Sequence, residues 1–219
     1  MGIVDLIFPK FCSGCGAEGQ YICAPCRKTL IRPEMICPMC CKASLDGWTH
    51  PRCRKWDGME RLIVGLPYRG VVQRCFKKVK YKSAWEIIQY LYNLCEFEEM
   101  ESSVVTSVPM WSEKEKTRGF NQAELLAQLI AEKNKVPCLA CLERSRETKP
   151  MFGLKRRERI ANVEGAFQLN PKSQILKFSN GEKVIIVDDV WTTGATMREC
   201  ARVLKEYGVK EVWGVALSR

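Results

Sequence analysis

Apolar positions along this chain follow two regimes that meet near residue 56. Beyond that point, apolar runs at 63–68, 104–108, 184–187 and 212–217 read as strands, and segments at 71–79, 87–95, 122–133 and 196–207 have the spacing of amphipathic helices. Leu125, Leu126, Leu129 and Ile130 mark the inner side of the helix over 122–133, and Gly208 closes the one over 196–207. Strands alternating with helices predict a mostly parallel sheet with right-handed crossovers, an α/β domain over 57–219. The run Val184-Ile-Ile-Val187 lacks polar alternation, so its strand is expected to be covered on both faces. Residues 1–56 lose the periodicity and hold turns, glycines and cysteines instead. The stretch from 143 to 180 is also weakly patterned, charged, and broken by Pro150, Gly153, Gly165 and Pro171, which predicts a flexible loop.

Cysteine usage changes the reading of the front end. Of 13 cysteines, eight precede residue 54, mostly in Cys-x-x-Cys pairs. No export signal and no eighteen-residue apolar run is present, so disulfides are disfavoured, no membrane span is expected, and a cytoplasmic protein follows. Such pairs offer thiolates at the spacing of zinc knuckles. The simplest assignment is two successive sites, the first from Cys12, Cys15, Cys23 and Cys26, the second from Cys37, Cys40, His50 and Cys53. Crossed pairing, a single occupied site and Cys41 in place of His50 are the alternatives. Zinc held by four protein ligands has no open position for chemistry, so the expected role is structural. Binding worth ~10–16 kcal/mol per site accounts for folding with so thin a core. Cys75, Cys95, Cys138, Cys141 and Cys200 read as small hydrophobes, with a redox or metal role for Cys138-x-x-Cys141 as the competing reading.

The formal charge of +10 is concentrated. Arg61, Arg69, Arg74, Lys77, Lys78, Lys80 and Lys82 occur over 61–82 without an acid, and a second basic run extends from Arg144 to Arg159. Such runs attract polyanions without reading a sequence. Trp48 and Trp56, beside Arg52, Arg54 and Lys55, suit either stacking on single-stranded nucleic acid or packing beneath a ribbon.

The most specific chemistry lies in Val184-Ile-Ile-Val-Asp188-Asp189-Val-Trp-Thr192-Thr193-Gly194-Ala195-Thr196. Two carboxylates at the end of a buried strand suit the paired hydroxyls of a ribose. A hydroxyl-rich turn with Gly194, followed by a helix N-terminus, suits a phosphate. Together they fit a ribose 5-phosphate. The segment resembles the PRPP-binding motif of type I phosphoribosyltransferases. That resemblance implies that Asp188 and Asp189 hold the ribose hydroxyls and that Thr192, Thr193, Gly194, Ala195 and Thr196 hold the 5-phosphate.

Further segments narrow the likeness: Arg118-Gly-Phe-Asn-Gln122-Ala123 after a strand, then Arg144-x-Arg146-x-Thr148, Arg159-Ile-Ala-Asn162-Val163 and Gly165-Ala-Phe167. With the cysteine-rich front, this order is similar to the ComF (ComF/GntX-like) family. The resemblance implies a double zinc ribbon over 1–56 and a type I phosphoribosyltransferase fold over 57–219, a magnesium-dependent site for PRPP, and a link to DNA uptake in natural transformation. It implies a pyrophosphate loop at Pro109, Met110 and Trp111, with Lys80 a further contact, and a loop whose Arg144, Arg146 and Arg159 act on departing pyrophosphate. Met110-Trp111 and Met151 depart from the family pattern. Two functions are expected to compete. One is phosphoribosyl transfer to an unidentified acceptor. The other is a non-catalytic accessory that binds PRPP or a nucleotide, together with single-stranded DNA and a competence helicase.

Overall fold

The computed structural model describes residues 9–78, 84–100, 102, 104–149, 153–173 and 183–219. Lys80 and Met151 lie outside these described residues. The central sheet contains β1 (Arg61–Leu66), β2 (Val104–Ser107), β5 (Lys183–Val190) and β6 (Glu211–Ser218), while β3 (Leu142–Arg144) and β4 (Phe167–Leu169) form a separate antiparallel pair. The order β1-β6-β5-β2 is parallel throughout. Helices α2 (Gly70–Lys78), α3 (Ala84–Cys95), α4 (Ser112–Arg118), α5 (Gln122–Asn134), α6 (Arg156–Val163) and α7 (Ala195–Glu206) complete the domain, and α1 (Ala24–Arg27) is a single turn in the cysteine-rich front.

Strand alternation divides the core in two. Val184 and Ile186 of β5 join one cluster with α7 and the β3–β4 pair, whereas Ile185 and Val187 join the other with α2, α3 and α5. The helix that follows β5 therefore covers one face, and the helix α5 that follows β2 covers the opposite face. Because β5 and β2 are neighbours, the chain diverges between their carboxyl ends and leaves a crevice.

Among the described residues, the cysteine-rich front has no core cluster of its own. Ile22 lies in the cluster of α2 and α3, while Ile36 and Met59 lie in the cluster of α7. The two halves of the front thus clasp opposite faces of the sheet. Tyr21 packs edge-on against Tyr90 with ring centroids 5.7 Å apart, and the Tyr90 hydroxyl donates to the Ile22 carbonyl at 2.6 Å. On the other half, Arg61 stacks on both Trp48 and Trp213, and Lys205 pairs with Glu60 at 2.5 Å. Part of the basic run read from sequence serves this docking, since Arg74 also donates to the Ser13 carbonyl at 2.5 Å.

The weak stretch after residue 143 is not simply a loop. Among its described residues lie the end of β3, all of α6 and β4. Their buried apolar residues are few, Leu142, Val163, Phe167 and Leu169, and are spaced too far apart to give a periodic signal.

Candidate functional site

The crevice opens into a cleft of about 790 Å³ at the carboxyl ends of β2 and β5. Its floor is the end of β5, where Asp188 and Val190 still pair with β6, and its walls include Pro109, Met110 and Trp111 from the connection after β2. That connection is fixed from beneath. Asn121 caps α5 by accepting from the Ala123 N–H at 3.1 Å, and its amide donates to the Val108 carbonyl at 3.1 Å.

After β5 the chain turns through residues 191–194 into α7. Gly194 has φ +73°, and a Cβ there would meet the Trp191 ring at 2.1 Å and Arg198 Nη1 at 2.7 Å, so no larger residue fits without moving both. The Ala195 N–H lies 3.5 Å from Thr193 Oγ1. Gly194 at the N-cap has no side chain to cap α7, which leaves the first-turn N–H groups beyond Ala195 available to an anion. Thr192, Thr193, Gly194, Ala195 and Thr196 all line the cleft.

Burial pushes the Asp188 carboxyl well above the ordinary carboxylate range, and the charge of Asp189 pushes it further. Asp189 is also raised by burial, partly offset by its hydrogen bond with Asp188 and by Arg118. The Asp189 N–H donates to Asp188 Oδ1 at 2.9 Å, which holds the two groups in register. Two carboxyls so placed lack sufficient compensation of their own, and a ligand bringing hydroxyls or a cation would relieve them.

The three arginines expected to act on a leaving group are separated by the fold. Arg144 and Arg159 line the cleft. Arg144 rests over the Phe167 ring, donates to Thr148 Oγ1 at 2.6 Å, and favours ionised Asp188. Arg146 is absent from the lining; its guanidinium donates to the carbonyls of Asn162 and Glu164 and braces α6 against the β3–β4 pair. Tyr68, Lys114, Thr117 and Arg118 line the cleft without having been assigned a role from sequence. Tyr68 follows β1, where the site-facing end of a parallel strand was the available signal. Lys114 and Thr117 lie on α4, whose sequence Ser-Glu-Lys-Glu-Lys-Thr-Arg is polar on all sides and leaves no helical stripe.

Trp111 Nε1, Trp191 Nε1 and Arg144 Nε are buried and meet no acceptor among the described residues. Donors in that condition on the walls of a cleft suit an oxygen-rich, anionic ligand. The cleft volume suits one as well.

Two further sites are built on the front. The thiols of Cys12, Cys15, Cys23 and Cys26 converge, as do Cys37, Cys40, His50 and Cys53, with ligand atoms in each group within 4.8 Å of one another. Cys15 and Cys23 sulfurs are 3.4 Å apart, close to the roughly 3.8 Å that tetrahedral zinc–sulfur bonds would give. In the second group, His50 Nδ1 is 3.3 Å from Cys40 Sγ and 4.0 Å from Cys53 Sγ, while Nε2 is 3.0 Å from the Ala43 carbonyl. A proton on Nε2 satisfies that carbonyl and leaves the Nδ1 lone pair for a metal. Cys41 points elsewhere, with its sulfur 4.0 Å from the Thr193 carbonyl oxygen. Burial tends to raise the Cys12 thiol, but N–H groups of Cys23, Cys15 and Gly14 outweigh it and bring the thiol down to about 6. Cys37 is lowered to about 7 by the same balance, with N–H groups of Cys40, His50 and Met39. Both sets suit a soft cation.

Cys138 and Cys141 behave differently. Burial raises both thiols, Cys138 to about 11.

Comparison with known proteins matches residues 115–217 to the phosphoribosyl transferase domain. Over its greater length the chain is similar to three named proteins. It is 29% identical to DNA utilization protein YhgH of Escherichia coli over 88% of each chain. It is 27% identical to competence protein F of Haemophilus influenzae, covering 95% of this chain and 85% of that protein. It is also 27% identical to competence protein ComFC of Bacillus subtilis, covering 86% and 80%. The match lies within the α/β part of the chain with its mostly parallel sheet, and the cysteine-clustered front lies outside it. Among the described residues no helix is long and apolar enough to cross a membrane.

Proposed function

Starting from a homologue of the ComF-type competence proteins that carries a phosphoribosyltransferase domain, we propose that the cleft binds PRPP with magnesium and transfers its phosphoribosyl group to an acceptor. One observation carries this reading. The raised acid pair of Asp188 and Asp189 and the Gly194 turn into α7 line one and the same cleft.

Asp188 and Asp189 accept hydrogen bonds from the ribose hydroxyls, and the turn at 192–196 with the start of α7 receives the 5-phosphate. Met110 and Trp111 offer backbone N–H groups to the pyrophosphate and Trp111 its indole N–H, Pro109 shapes the loop, and Arg144 and Arg159 neutralise charge as the bond from C1 to pyrophosphate breaks. Magnesium supplies a further positive charge shared among ligand oxygens. Catalysis is positioning and electrostatics, and no residue of this chain is singled out as a general base. The front carries two structural zinc ions, held by Cys12, Cys15, Cys23 and Cys26 and by Cys37, Cys40, His50 and Cys53. The protein acts in DNA uptake or use, a role that the words DNA utilization and competence in the names of its relatives support.

A second reading, a PRPP-binding accessory without turnover, is favoured by the exposed Trp56, 71% accessible beside Arg52, Arg54 and Lys55, which offers a stacking and neutralising surface for single-stranded DNA. A competence helicase is the partner such an accessory would serve. Magnesium-dependent pyrophosphate release from PRPP separates the two. Release that falls at least about a hundredfold in Arg144→Ala, Arg159→Ala supports transfer. Tight PRPP binding with no release under any acceptor base supports the accessory.

A further inference from the structure

The turn that receives the phosphate is held from behind by the second half of the cysteine-rich front. Arg198, one turn into α7, donates through Nη2 to the Thr193 carbonyl at 2.6 Å and through Nη1 to the Pro38 carbonyl at 2.8 Å. Pro38 lies between Cys37 and Cys40, two residues of the second metal cluster. The guanidinium also rests 5.8 Å from the centre of the Trp191 ring, the ring that closes over Gly194. Cys41 joins the contact, its sulfur 3.9 Å from Arg198 Nη1 and 4.0 Å from the Thr193 oxygen.

We propose that Arg198 is a positioning residue that couples metal loading of the second cluster to phosphate binding. The inference rests on the reading of residues 192–196 as a phosphate cradle. In a trans peptide the carbonyl and the following N–H point to opposite sides. Holding the Thr193 oxygen on the knuckle side therefore turns the Gly194 N–H toward the cleft. The fork of the guanidinium bridges two carbonyls that belong to different parts of the chain, a task that an ammonium cannot copy with fixed geometry. When metal fixes the knuckle, the Pro38 carbonyl is fixed, and Arg198 passes that constraint to the turn. When metal leaves, Arg198 loses its outer partner and the turn gains freedom. The first cluster makes no such contact among the described residues; its half docks on α2 and α3, across the sheet.

Four full-length proteins test the link: the parent, Arg198→Met, Arg198→Lys and His50→Ala. Zinc content, amide exchange over 192–197 without ligand, and the dissociation constant for ribose 5-phosphate by calorimetry are measured on each. Arg198→Met should keep the parent's zinc, exchange faster over the turn, and bind ribose 5-phosphate about tenfold more weakly, the expected loss of one charge-assisted hydrogen bond. Arg198→Lys should recover only part of this. His50→Ala should lose zinc and weaken binding similarly, with little further loss when combined with Arg198→Met. Unchanged exchange and affinity in Arg198→Met would overturn the coupling, as would fully additive losses in the double variant. If His50→Ala does not fold, the two Arg198 variants decide alone. If the parent itself ignores ribose 5-phosphate, the phosphate reading fails. The exchange data then still judge whether Arg198 restrains the turn.

Discussion

The two halves of the cysteine-rich front are built alike and used differently. Each has a Cys-x-x-Cys turn closed by a short antiparallel bridge, Phe11 to Glu18 in the first and Ile36 to Ala43 in the second. Each then adds a proline-containing helical turn, α1 in the first and residues 51–53 in the second. The residue after each turn is left-handed: Gly16 at φ +81° and Cys41 at φ +62°. Glycine is unstrained there, whereas a cysteine accepts roughly 1–2 kcal/mol of backbone strain. The strained residue is the one whose side chain reaches the turn at 191–194. Two similar candidate metal clusters thus sit differently, one half docked on helices far from the cleft and the other on the wall of the cleft itself.

Removing a metal ligand from each half gives the largest contrast. Cys26→Ser and Cys53→Ser should each lose one zinc by metal analysis and lower the thermal midpoint by at least about 10 °C, since each structural zinc contributes several kcal/mol to folding. Only Cys53→Ser should also weaken ribose 5-phosphate binding in calorimetry. Equal weakening by both would erase the distinction between the halves.

A smaller effect concerns the acids that the second half helps to frame. The native Asp188 carboxyl titrates above its unfolded value, so between those two pKa values the native state binds more protons than the unfolded one. Stability contributed by this group is therefore lost as pH rises through that window, and the ionised form is carried at a cost at neutral pH. Asp188→Asn should flatten that dependence and raise the midpoint at pH 7 by about 2–4 °C while abolishing sugar-phosphate binding. A lower midpoint at pH 7 with an unchanged pH dependence would show that the acid is not under electrostatic load. The smallest effect belongs to the first half. Tyr90→Phe removes the hydroxyl held by Ile22 and should cost about 1 kcal/mol by denaturant unfolding, with ligand affinity unchanged.

The elements with long apolar runs were legible. Strand β5, helix α5 and helix α7 lie where periodicity puts them, because burial on both faces or along a stripe leaves a repeat in the sequence. Helix α4 and strands β3 and β4 left none, being short or polar on all sides. In the candidate site, the acids and the Gly194 turn were readable since local chain order builds them. Which arginine faces the cleft was not: Arg144 and Arg146 differ by two positions on a β-like segment, and only tertiary pairing sends one to Asp188 and the other to the α6 carbonyls. The clasp of the two knuckles on opposite faces was equally hidden, because it depends on Ile22, Ile36 and Met59 sharing cores formed by distant strands.

The most direct test of the proposed site is calorimetric titration of PRPP with magnesium into the zinc-loaded protein, beside the Asp188→Asn, Asp189→Asn variant. Saturable heat in the parent and none in the folded variant is the expected result. Heat that is absent from both, or equal in both, would contradict the assignment of the acid pair and the Gly194 turn to a phosphorylated pentose.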